Sequence, residues 1–232
     1  MERGYILHRR PYQESSLLVN LLVDGRGRVD AIARLGSGRR SIRSILQPCQ
    51  PLIFSLAGKG ELHTLSQIEP LSAAIPLQGK SLYSAMYLNE LLMRTLSVQQ
   101  SGEQLFVAYH QTLMVLASSF CQRHLRYFEK KLLGEFGCMP SLIKDIHDNV
   151  INGEQHYHYI TDEGFILAEQ NQSSDSKSYA GCALLRLAED NLQDSDLNGI
   201  KHLMRRLLSP LLGNKPLVSR SFFIQGINCS KL

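Results

Sequence analysis

Four arginines stand among glycines and serines in Arg34-Leu35-Gly36-Ser37-Gly38-Arg39-Arg40-Ser41-Ile42-Arg43, with no acid between them. Arginine forks match phosphate oxygens and glycines let the main chain come close, so this segment has the chemistry to follow a phosphate backbone. Arg26 and Arg28, from a turn shortly before it, bring two more cations. The candidate DNA contacts are therefore Arg26, Arg28, Arg34, Arg39, Arg40 and Arg43; the alternative is a basic loop that is merely solvated. No Gly-Lys-Ser/Thr follows, which excludes a nucleotide-binding P-loop.

A second constellation is Leu125-Arg126-Tyr127-Phe128-Glu129-Lys130-Lys131-Leu132-Leu133. Leu125, Phe128, Leu132 and Leu133 share a helix face, and Arg123, Arg126 and Lys130 fall at three- and four-residue spacings. Apolar and basic side chains lining one groove would suit an acidic peptide with an aromatic end. Ordinary amphipathicity produces the same pattern. A third is Lys201, Arg205 and Arg206 followed by Gly213-Asn214-Lys215-Pro216-Leu217-Val218-Ser219-Arg220. It reads as a helix end and an extended basic tail, able to bind phosphates or an acidic peptide, or simply to wrap back on the chain.

Catalytic groupings are weak. His156 and His158 share one face of a short strand without a Cys or carboxylate at metal-ligand spacing. Asp145, His147 and Asp148 cluster in a loop. The five cysteines (Cys49, Cys121, Cys138, Cys182, Cys229) are scattered and never form Cys-x-x-Cys, which argues against a disulfide framework or structural zinc. No Gly-x-Ser-x-Gly, His-Glu-x-x-His or dinucleotide fingerprint occurs. No catalytic residue, metal site or cofactor is expected.

The elements that must position these residues change character along the chain. Tyr5 to His8, Leu17 to Val23, Arg28 to Ala33, Leu52 to Leu56 and the run through Leu62, Leu65 and Ile68 are short strands. Asp24-Gly25-Arg26-Gly27 and Ala57-Gly58-Lys59-Gly60 turn the chain between them. Five short strands with little helical period between them suit a small barrel or meander. After Pro76 the period becomes helical: Leu82 to Leu96, Leu105 to Phe120 and Leu125 to Phe136, stopped by Gly137 and Pro140. Residues 141–178 are polar and hold a hairpin, Gln155 to Ile160 with Phe165 to Ala168. Helices resume over Tyr179 to Leu192 and Leu197 to Leu212. The expected architecture is α+β: a five-stranded barrel over 1–78 and a mainly helical domain over 79–232 with a hairpin excursion at 141–178.

At 232 residues, with 44% apolar and 20% charged side chains, the chain can bury a core, and wholesale disorder is excluded. No apolar run reaches the roughly 18 residues of a membrane helix, and no signal-peptide core follows Met1. An intracellular protein in solution is expected. Its net charge is only +4, but the balance is +5 over 1–80, −7 over 81–196 and +6 over 197–232. Basic ends around an acidic middle point to an anionic partner.

Several segments, in order, resemble the bacterial recombination-mediator family RecO. They are Leu7-His8-Arg9-Arg10-Pro11-Tyr12-Gln13-Glu14-Ser15-Ser16-Leu17, Gly27-Arg28-Val29, Leu46-Gln47-Pro48 and Gly58-Lys59-Gly60-Glu61-Leu62. Leu82-Tyr83-Ser84-Ala85-Met86-Tyr87-Leu88-Asn89-Glu90-Leu91, Leu125-Arg126-Tyr127-Phe128-Glu129 and Gly213 to Arg220 complete the run. The resemblance implies an N-terminal oligonucleotide-binding (OB) barrel and a helical C-terminal domain. It implies binding of single- and double-stranded DNA, annealing of complementary strands, work beside RecR and sometimes RecF, and loading of RecA. It also implies contact with the acidic, aromatic-ended tail of the single-strand binding protein SSB, placed here on Leu125, Arg126, Phe128, Lys201, Arg205 and Arg206. A non-enzymatic, cytoplasmic, nucleoid-associated monomer is expected.

Two departures stand out. Many family members carry four zinc-ligating cysteines in the helical domain, whereas Cys138 and Cys182 are isolated here. The family's basic loop often begins basic-Gly-Ala-Arg, and here it begins Arg34-Leu35-Gly36-Ser37. The competing functions are a nucleic-acid-processing enzyme, which would need a carboxylate cluster or an activated nucleophile, and an interaction module that never touches DNA.

Overall fold

A computed structural model describes residues 1–36, 42–98, 102–168 and 177–223. By compactness the chain forms two units, Met1–Phe120 with Lys215–Leu232, and Cys121–Asn214. The second is an insertion in the first.

The first unit is built on five strands: β1 (Glu2–Tyr12), β2 (Ser16–Val23), β3 (Gly27–Arg34), β4 (Leu52–Ala57) and β5 (Leu62–Pro70). They close a barrel in the order β1-β2-β3-β5-β4, with β4 returning to β1 at Gly4↔Leu52. Only the β3–β5 pairing is parallel; the other four are antiparallel. The expected barrel is present, as an OB-type fold within an α+β chain. Gly25 and Gly27, at φ of 73° and 72°, supply the left-handed positions of the β2–β3 turn.

Strand alternation sends Leu17, Val19, Leu21, Val29, Ala31, Ala33 and Leu65 inward, where Phe54, Leu52 and Ile6 complete the core. Leu46, wholly buried, plugs that core from the β3–β4 connection. Gly4 lies against the Leu22 carbonyl and the Phe54 ring, each 2.8 Å from where a Cβ would stand. The strand approach there requires glycine. In β1, Gly4 to Leu7 are buried four in a row rather than alternately. A register shift between Ile6 and His8 contributes, and the outward Tyr5 ring is covered by Phe106 and Tyr109.

Those two rings belong to α2 (Glu103–Ser118), which with α1 (Gly79–Thr95) groups with the barrel by compactness. The change of period in the sequence instead predicts a separate helical domain from residue 79. The anchors are polar as well as apolar. Tyr109 donates to Asn89 Oδ1 of α1 at 2.6 Å, and the Tyr5 hydroxyl is 2.5 Å from His110 Nδ1. Burial pushes the Tyr5 hydroxyl up to about 12, with Cys49 adding to the rise.

Residues 215–223 are not a free basic arm. Glu90 of α1 accepts from the backbone N–H groups of Val218 and Ser219 at 2.8 Å each, and from the Ser219 hydroxyl at 2.6 Å. Arg94 donates to the Pro216 carbonyl, and Phe222 and Phe223 pack on Tyr83. Of the alternatives left open by composition, the wrap is the one observed.

The inserted unit holds α3 (Gln122–Glu135), a three-stranded antiparallel sheet of β6 (His156–Ile160), β7 (Gly164–Leu167) and β8 (Ser178–Ala180), then α4 (Gly181–Ala188) and α5 (Leu197–Leu212). The expected hairpin is β6–β7. The sequence pattern predicts a helix from Tyr179, but Ser178–Ala180 pairs on the other side of β6 and the helix begins at Gly181. Gly181 permits the switch: a Cβ there would sit 2.1 Å from the Asn152 carbonyl oxygen, and its N–H bonds Gln155 at 2.7 Å. Among the described residues no helix is long and apolar enough to cross a membrane.

Candidate nucleic-acid interface

Because the barrel interior takes the odd-numbered residues of β2 and β3, the even-numbered ones face outward. Cross-strand register then aligns Arg10, Leu18, Ile32 and Thr64 in one outer row, and Tyr12, Ser16 and Arg34 in the next. Arg10 and Arg34 are exposed; Tyr12, Leu18 and Ile32 are half-buried. Two cations beside a low apolar surface with one ring, across three adjacent strands, can neutralise phosphates and receive base faces. Arg10 and Tyr12 are not among the contacts expected from the sequence. Their signal is parity: they are outward positions on a strand whose neighbours also turn apolar side chains out.

The six arginines expected at DNA separate into three groups. Arg34 lies on the outer face just described, and Arg43 is exposed in the turn after the loop. Arg39 and Arg40 lie outside the described residues. Arg26 and Arg28 are engaged within the protein. The Arg26 guanidinium donates to both oxygens of Glu2, at 3.0 and 3.1 Å, and to His63 Nε2 at 3.2 Å. Since a guanidinium only donates, His63 accepts at Nε2 and carries its proton on Nδ1, which is buried with no hydrogen-bond partner among the described residues.

Arg28 donates to the Met93 and Leu96 carbonyls at the C-terminal end of α1, at 2.9 and 3.0 Å, and chelates Asp30 at 3.2 Å. A cation at that end offsets the carbonyl charge of the helix terminus. It also neutralises Asp30, the acid one row away from Arg10, so Arg28 acts on the outer face through Asp30.

The ends of the basic loop are pinned. Ile42 N–H bonds the Leu35 carbonyl at 3.0 Å. Arg9 reaches from β1 to the Leu46 carbonyl at 2.7 Å, the Arg43 carbonyl at 3.1 Å and Gln47 Oε1 at 3.0 Å. The segment between Arg34 and Arg43 therefore leaves and rejoins the barrel at one place.

The six residues expected at the peptide groove also divide. Leu125 and Phe128 are buried in the core of the inserted unit, 5% and 1% exposed. Arg126, between them, is buried too: its Nη2 donates to Glu129 Oε1 at 2.6 Å, with side chains 8% and 0% exposed. Its Nε has no hydrogen-bond partner among the described residues. Lys201 is half-exposed, and Arg205 and Arg206 are exposed on α5. The Arg206 guanidinium lies 5.0 Å over the Tyr159 ring. The inserted unit thus has its anchors inside and its cations outside.

No group of three or more His, Cys, Asp or Glu side chains could hold a metal among the described residues. His156 is exposed and His158 half-buried on β6. The family models for "Recombination protein O N terminal" and "Recombination protein O C terminal" match residues 1–74 and 76–221. The chain belongs to the RecO family.

Curated relatives agree. The chain is 38% identical over 224 residues to the DNA repair protein RecO of Coxiella burnetii (strain RSA 331 / Henzerling II), covering 95% of this chain and 96% of that one. It is 38% identical over 229 residues to the DNA repair protein RecO of Yersinia pestis (strain Pestoides F), covering 97% and 94%. The RecO of Yersinia pseudotuberculosis serotype O:1b (strain IP 31758) is similar to the same extent. Within this RecO-family chain, the N-terminal family match takes in all five barrel strands. The C-terminal match spans α1 to α5 and the returning segment at Glu90.

Proposed function

We propose that this protein binds single- and double-stranded DNA on the outer face of its barrel and anneals complementary strands without catalysing a covalent step. With RecR, and with RecF where one is present, it helps load RecA onto SSB-coated single strands. The observation that carries the reading is the pair of adjacent outer rows of β1, β2 and β3: exposed Arg10 and Arg34 beside half-buried Tyr12, Leu18 and Ile32. Annealing needs only that two strands be discharged and held together, which arginines can do without nucleotide or metal. The family and the name borne by its relatives support the repair setting. The same reading places the protein at the nucleoid in the cytoplasm.

The test is Arg10→Gln/Arg34→Gln. Each phosphate-neutralising cation removed lowers the log–log salt slope for single strands by about 0.7, so the double variant should lower it by about 1.4 whatever the oligonucleotide sequence. An unchanged slope moves DNA off this face. For the SSB tail, the buried state of Leu125, Arg126 and Phe128 leaves Lys201, Arg205 and Arg206 as the side chains of that set an incoming peptide could reach.

A further inference from the structure

The row of the barrel face next to Arg10, Leu18, Ile32 and Thr64 runs His8, Asn20, Asp30 and Leu62 across β1, β2, β3 and β5. His8 and Leu62 are exposed at its ends, Asp30 is half-buried and Asn20 is 5% exposed. An acid on a face that neutralises phosphates calls for a reason. Asn20 and Arg28 hold it in one orientation: Oδ1 accepts from Asn20 Nδ2 at 2.8 Å and from Arg28 Nε at 3.2 Å, and Oδ2 accepts from Arg28 Nη2 at 3.2 Å. A carboxylate has about four lone-pair sites, so one remains, on Oδ2. The donors beside it are turned elsewhere. Arg28 Nη1 goes to the Met93 and Leu96 carbonyls, and the Asn20 amide nitrogen goes to Asp30 itself. The middle of this row therefore offers an incoming group an acceptor.

We propose that Asp30 contacts a base and favours one bearing an exocyclic amino group, cytosine over uracil or thymine. The proposal rests on the reading that single strands lie on this outer face. Two residues along a strand span about 6–7 Å, so a pyrimidine laid flat on Leu18 and Ile32 brings its Watson–Crick edge within reach of Asp30. Cytosine presents its N4 amino group there, which a carboxylate accepts. Uracil and thymine present O4, so that acceptor faces acceptor and neither is satisfied. Because Arg28 offsets the carboxylate's charge, phosphates passing Arg10 and Arg34 are not driven off by it. The discrimination acts on the base.

The experiment uses the full chain with fluorescent oligo-dC and oligo-dU of equal length, whose bases differ only at N3 and ring position 4. The parent should bind oligo-dC about five-fold tighter, the worth of one hydrogen bond, with equal log–log salt slopes for the two. Asp30→Asn carries an amide that can turn either its oxygen or its nitrogen outward, and should bring the ratio close to one. Asp30→Ser is made separately, so that one variant remains if the other does not fold, and should do the same. Removing the negative charge shifts the binding of both oligonucleotides together. The ratio is thus the readout that a merely electrostatic or structural role for Asp30 does not move.

Equal binding of the two oligonucleotides by the parent overturns the proposal, as does a preference for oligo-dC that survives in a folded Asp30 variant. Arg10→Gln/Arg34→Gln, run beside them, separates this inference from the reading beneath it. An unchanged slope in that variant sinks the barrel face as the phosphate contact. A lowered slope without any preference for oligo-dC in the parent leaves the barrel face standing and sinks the role of Asp30 alone.

Discussion

Arg126→Ala removes the cation from an ion pair whose side chains are 8% and 0% exposed. The Glu129 carboxylate is then left buried without its guanidinium. Breaking a buried pair in this way costs about 3–5 kcal/mol, mostly as the desolvation of the remaining charge. At about 2–4 °C per kcal/mol for a chain of this size, the melting midpoint should fall by roughly 6–20 °C. Arg126→Met/Glu129→Gln leaves no stranded charge and should recover most of that loss, because a buried pair is worth little over a neutral replacement of similar volume. Thermal melts followed by circular dichroism, with urea titration at 25 °C, measure both. A loss below about 1 kcal/mol for Arg126→Ala, the scale of a surface pair, would refute the burial argument. Any change in peptide binding by that variant must be read below its own melting range.

Two further outcomes follow from the geometry. Gly181→Ala places a methyl against the Asn152 carbonyl oxygen; it should destabilise the inserted unit by about 2–3 kcal/mol, seen as a lower urea midpoint. The Tyr5 hydroxyl ionises more readily unfolded, near the ordinary value of 10, than folded, near 12. Its contribution is thus complete below pH 10 and is lost as pH rises toward 12, and Tyr5→Phe should flatten the fall in stability over that window.

The barrel was legible because the apolar run of β2 and the alternation over β3 and β4 are local signals, and glycines mark its turns. The helices α1, α2, α3 and α5 were equally plain from their apolar period. What sequence could not give was which arginines are already engaged. Apart from Asp30, the partners of Arg28 are Met93 and Leu96, and those of Arg26 are Glu2 and His63, all remote in the chain. Arg126 misled for the opposite reason: its partner is three residues away, but an exposed helix pair and a buried one have the same spacing. The strand β8 is three residues long and runs directly into a helix, too short for any period to show.

The insertion of one unit within another has a consequence for how the chain folds as it is made. The segment that Glu90 and Tyr83 receive is translated about 95 residues after α2 is complete. At about 5–20 residues per second, that is a delay of roughly 5–20 s. During it, the inserted unit can finish folding while the unit that began first still lacks its final piece. The usual N-terminal-first order is inverted, and for those seconds the α1 surface under residues 215–223 is open to whatever else the ribosome's surroundings offer.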